Sequence, residues 1–218
     1  MTNSSSPLAQ IEEIRSIMSR SARFISLSGL SGIIAGTAAL LGAATGYVYL
    51  DRQPFSSTPL TALPGEGTFT ALPPISFFTL TALLILVVAL ARGILPTVRK
   101  ARQQGQAIWS PLTRRLLISL AIPLAAGGIF VLALYQAGAL TLIAPATLIF
   151  YGLSLINAAK YTLGDVYYLG LSEITLGLIS AFLPGYGLEF WSLGFGVLHI
   201  LYGIWMWNRY ERKSPAHG

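Results

Sequence analysis

The chain has no cysteine, and of its 218 residues only two are histidine and 10% are charged. Without cysteine there is no disulfide, thiol nucleophile or thiolate-held metal. One histidine, His217, is the penultimate residue. That leaves one histidine and a carboxylate for any internal site, fewer than the three or four ligands most metals take. No HExxH, GxSxG, Walker loop or strand-linked GxGxxG is present. The sequence therefore predicts no metal, no cofactor and no enzyme. Scarce charge is the most telling deficit, because a soluble domain carries roughly a quarter charged residues.

What replaces charge is apolar sequence. Hydrophobic residues make up 54% of the chain and mean hydropathy is +0.66. They fall into blocks near 20 residues, the length that crosses a hydrocarbon core of about 30 Å. Six such blocks are predicted, at about 24–50, 75–91, 112–135, 140–159, 163–183 and 188–208. The expected fold is all-α, a polytopic six-helix transmembrane bundle over residues 24–210 with no three-plus-three repeat. Residues 1–6 read as a disordered tail and 211–218 as a disordered basic tail. Over 7–23, Leu8, Ile11, Ile14, Met18 and Ala22 recur at three- and four-residue intervals opposite Glu12, Glu13, Arg15 and Arg20. That pattern predicts an amphipathic interfacial helix. The first block is too long for a signal peptide and follows glutamates.

The net charge of +6 does not imply nucleic acid, because the basic residues sit in short segments on alternate sides of the blocks. A cytoplasmic N-terminus puts twelve of the fourteen Lys and Arg on the inner side, as the positive-inside rule requires. Both termini are then cytoplasmic. Arg99, Lys100, Arg102, Arg114 and Arg115 cluster with no acidic residue among them, which predicts contact with anionic lipid. The one long outer loop, 51–74, holds five prolines and reads as a braced connector. In the first block Gly32 and Gly36 belong to a small-residue stripe suited to close helix packing, within the chain or in a homodimer.

The last two blocks carry the sharpest signal. Leu163–Leu183 and Leu188–Asn208 are each 21 residues long and are joined by Pro184-Gly185-Tyr186-Gly187. Glu173 and His199 each lie about 13 residues from that turn, so an antiparallel pair sets them at one depth. Both are flanked alike, as Gly170-x-x-Glu173-x-x-x-Gly177 and Gly196-x-x-His199-x-x-x-Gly203. The expectation is one close-packed seam with a carboxylate and an imidazole facing each other. Desolvation favours their neutral forms and mutual attraction the charged pair, so they titrate together. Two roles fit, a proton relay or a polar lock between helices.

Ile11-Glu-Glu-Ile-Arg15, Ser26-Leu-Ser-Gly-Leu-Ser-Gly32 and Tyr168-Leu-Gly-Leu-Ser-Glu-Ile174 together resemble uncharacterised six-helix integral membrane proteins of the Bacteroidota. The resemblance implies a bacterial inner (cytoplasmic) membrane and supplies no functional residue. The sequence thus points to an accessory, sensory or regulatory membrane component. Its partners are the lipid bilayer and a membrane protein or second copy. A proton-coupled transporter or channel using Glu173 and His199 is the alternative.

Overall fold

The computed structural model describes residues 29–50, 76–88, 91 and 111–211. The amphipathic segment 7–23, the loop 51–74, Arg99, Lys100, Arg102 and the tails lie outside the described residues. The described residues form an all-helical structure without a strand. In chain order the helices are α1 (Gly29–Tyr49), α2 (Ser76–Val88), α3 (Pro111–Gln136), α4 (Leu140–Tyr161), α5 (Asp165–Ala181) and α6 (Gly187–Arg209). Four of them, α1, α3, α4 and α6, are long and apolar enough to cross a membrane.

Local chemistry sets the boundaries. Gly138 and Gly185 hold the left-handed backbone of the α3–α4 and α5–α6 turns, at φ 70° and 110°, where a Cβ is disfavoured. Pro145 sits in the first turn of regular α-helix in α4, where its missing N–H breaks no intrahelical bond. The spacing Thr162-Leu-Gly-Asp165 looks like a capping box, yet Gly164 is the N-cap of α5 and no side chain caps it. Thr162 is instead extended and buried. Asp165 reaches across to Arg209 at the end of α6, with 3.3 Å between Oδ1 and Nη1. The helix at 163–183 is therefore 17 residues long rather than 21.

The helices alternate in direction. Gly152 faces Gly170 between α4 and α5, and Gly29 faces Gly203 between α1 and α6. Asn157 of α4 donates to the Ser119 carbonyl of α3 at 2.8 Å. On α2, Phe78 lies against Gly46 and Ile85 against Gly42, so α2 runs opposite to α1. One end of the bundle, here the near end, holds the start of α1, the α4–α5 turn and the end of α6. The far end holds the α3–α4 and α5–α6 turns. Arg114, Arg115, Lys160 and Arg209 are the Lys and Arg among the described residues, and all four sit at the near end.

Two tight seams organise the packing. A Cβ on Gly29 would come within 2.3 Å of the Gly203 carbonyl, and one on Gly36 within 2.5 Å of the Gly196 carbonyl. On Gly32 it would meet Gly203 Cα at 3.2 Å. Between α4 and α5, Gly152 and Gly170 each put a virtual Cβ within 2.7 Å of the other's carbonyl oxygen. Such approaches are available only to glycine and let long rows of atoms reach van der Waals contact. The stripe on α1 thus packs within the chain, against α6. The outer helix α3 buries only Gly127, which receives the Phe150 ring, and leaves Ile122, Ile129 and Leu132 exposed.

Candidate functional site: a buried tyrosine, histidine and glutamate

Glu173 is the middle residue of α5 and is fully buried. Its Oε1 lies 3.4 Å from Nδ1 of His199 on α6. That is ion-pair range and longer than a good N–H···O hydrogen bond. Neither carboxyl oxygen has a hydrogen-bond partner among the described residues. The histidine, by contrast, is held at both nitrogens. Nδ1 meets the Gly194 carbonyl at 3.0 Å, and Nε2 meets the Tyr151 hydroxyl at 2.8 Å.

Those two partners define the imidazole's chemistry. A carbonyl only accepts, so Nδ1 carries a hydrogen and donates it. A tyrosine hydroxyl both donates and accepts, so it serves Nε2 in either state of the ring. The neutral ring accepts from Tyr151 and the imidazolium donates to it. The ring can therefore gain or lose a proton at Nε2 without losing either hydrogen bond. Passing the Nδ1 proton on to Glu173, 3.4 Å away, would cost the bond to the Gly194 carbonyl.

The backbone of α6 creates this arrangement. Residues Ser192–Leu198 are wound as a π-helix before regular α-helix resumes at His199. Such insertions are rare and interrupt the usual ladder of backbone bonds. Here the Gly194 carbonyl accepts from a side chain five residues on. Gly194 has a second role, because a Cβ there would come within 2.5 Å of both Glu173 Oε2 and Leu148 Cδ2. Phe195 stacks near-parallel to the imidazole, with centroids 6.0 Å apart, and also touches Tyr151 and Trp191.

The structure brings Glu173 and His199 together but divides the glycines expected around them. Gly170 and Gly177 turn to α4, where a Cβ would strike Gly152, Pro145, Ile149 and Ile156. Gly196 and Gly203 turn to α1 and meet Leu40, Gly29 and Ile33. The expected single seam is two seams, and the reason is helical geometry. At about 100° per residue, positions three before and four after a residue are both displaced, by roughly 60° and 40°, in the same sense. The glycines therefore mark a neighbouring face, and the ionisable residue stands at its edge. Of the basic cluster, Arg114 and Arg115 lie exposed in the first turn of α3.

Sequence reading missed Tyr151 and Gly194. Tyr151 had a usable signal, since tyrosines of membrane helices concentrate at the interfaces and this one is in mid-block. Gly194 had none, because its need comes from another helix's carboxylate. Together the features define an all-helical bundle with a buried polar set where three apolar helices meet. No family model matches this chain, and no curated protein or solved structure is similar to it.

Proposed function

We propose that this is a proton-responsive sensory or regulatory protein of the bacterial inner membrane, in which the charge state of Tyr151, His199 and Glu173 sets how α6 packs on α4 and α5. On this reading the chain crosses the bilayer six times with both termini cytoplasmic. The alternating helices and the four near-end cations support that topology. Bilayer lipid, or a membrane-protein partner, covers the exposed apolar residues of α2 and α3.

One observation carries the reading: a fully buried carboxyl with neither oxygen hydrogen-bonded among the described residues, beside a histidine already committed at both nitrogens. A charge in mid-span costs roughly 2.5–3.5 kcal/mol on insertion scales, so a purely structural lock should use its hydrogen bonds fully. Here the hydrogen bond that crosses between helices joins α6 to α4, through His199 and Tyr151, and Glu173 is left to change state. The glycine seams hold backbone on backbone, whereas contacts of Gly194 with α4 and α5 involve side chains only. A change at Glu173 is therefore expressed at the α6 junction rather than within the seams.

Infrared difference spectra against pH, with the protein in nanodiscs, test this. The expected result is a carboxylic C=O band that titrates, disappears in Glu173→Gln and shifts in His199→Gln. A folded protein with no Glu173-dependent band across the stable pH range would make the set a static lock. The alternative, a proton-coupled transporter, is favoured by the same buried carboxyl at mid-depth. A proton leak from pH-loaded vesicles that Glu173→Gln abolishes would establish it instead.

A further inference from the structure

We infer that water reaches Glu173 from the far end of the bundle only, by way of Ser180; this rests on the proton-responsive reading and assigns it a side. Ser180 lies on the Glu173 face of α5, two turns and ~10 Å further toward the α5–α6 turn. It is 1% exposed, and its hydroxyl has no hydrogen-bond partner among the described residues. Hydroxyls in apolar helices ordinarily bond back to a carbonyl three or four residues earlier. Thr37, Ser154, Ser172, Thr175 and Ser192 do so here, at 2.6–2.9 Å. Ser180 departs from that habit on the same face as the unpartnered carboxyl. Buried polar atoms that lack protein partners are where water is ordinarily held.

The two directions away from Glu173 differ in lining, although the near-end side also holds the buried Tyr202 hydroxyl. Toward the near end, Leu155, Leu163, Val166, Leu169 and Met206 form one buried apolar cluster, with Tyr151 and Tyr202 packed on it. Ser154 on that side is fully buried, and its hydroxyl is satisfied by Phe150. Toward the far end lie Ser180 and Glu189, the latter in the first turn of α6. Among the described residues, the titratable groups facing Glu173 are Tyr151 from α4 and His199 from α6, and Tyr202 of α6 lies by Tyr151. Asp165 and Arg209 pair beyond the apolar cluster. Protons thus exchange with Glu173 from one side, and the tyrosines end the path on the other.

Because the chain has no cysteine, Ser180→Cys and Ser154→Cys each supply a single, nearly isosteric thiol. A charged, water-soluble methanethiosulfonate reagent applied to right-side-out or inverted vesicles labels a thiol only where water lets it ionise. Labelling is read by intact mass. The expectation is that Ser180→Cys is labelled from the far-end face alone, about tenfold or more faster than Ser154→Cys. Equal inertness of the two, or labelling of Ser154→Cys from the near-end face, would overturn the one-sided route. If the Glu173 band titrates while Ser180→Cys stays inert, the route fails and the proton-responsive reading stands. A reactive Ser180→Cys with a silent Glu173 band keeps the route and removes that reading.

Discussion

The glycine seams and the polar junction are built on opposite terms. In the seams, backbone meets backbone, and at Gly29, Gly36, Gly152, Gly170 and Gly203 an added methyl would fall within 2.7 Å of a carbonyl oxygen. At the junction, a histidine, a tyrosine and a carboxyl meet through side chains, and one of the three is not hydrogen-bonded. Backbone contacts give way only by moving whole helices, whereas side chains can rearrange locally. The comparison teaches where stability resides and where adjustment is available. The seams hold α1 on α6 and α4 on α5; the junction decides how those pairs meet.

Substitutions in the seams should therefore have the largest effect. Gly203→Val places three carbons where a Cβ already lies 2.6 Å from the Gly29 carbonyl. A loss of about 3 kcal/mol or more is expected, seen as a lower Tm in detergent. Gly194→Ala meets side-chain atoms at the same short distances, which can move. It should destabilise by only ~1–2 kcal/mol while displacing the carboxyl and shifting the Glu173 infrared band. If Gly194→Ala proves as damaging as Gly203→Val, the junction is as rigid as the seams and the distinction fails.

Tyr151→Phe removes one hydrogen bond and leaves Nε2 of a buried histidine without its partner. About 1–2 kcal/mol is expected, together with an altered titration of the pair. A stability loss with no change in titration would reduce Tyr151 to packing. The smallest effect belongs to the near-end ion pair, where Arg209 is 53% exposed. Arg209→Ala should stay within ~0.5 kcal/mol, measurable by the same thermal assay at low salt.

Much of this was legible in the sequence, and the limits are physical. Alternating blocks of apolar residues set helices, their order and their alternating direction. The common depth of Glu173 and His199 followed from equal distances to one turn. The face each glycine presents did not follow, because a spacing of three or four narrows a residue to a broad sector and several partners compete for it. The capping spacing at Thr162 failed for a similar reason: the chain enters α5 at Gly164, with Thr162 extended and buried and Asp165 turned to Arg209, and local spacing does not show those contacts.

By itself the sequence determined that the chain is helical and apolar, carries its described cations at one end, and holds a single carboxylate and imidazole in mid-helix. Those properties depend on composition and on counting along one dimension. Only the tertiary structure decided that Tyr151 completes the site, that Gly194 makes room for the carboxyl, and that the Ser180 hydroxyl has no hydrogen-bond partner among the described residues. Each of these depends on how helices meet, set by rotation about their axes and by a π-helical insertion in α6, and neither is encoded in spacing alone.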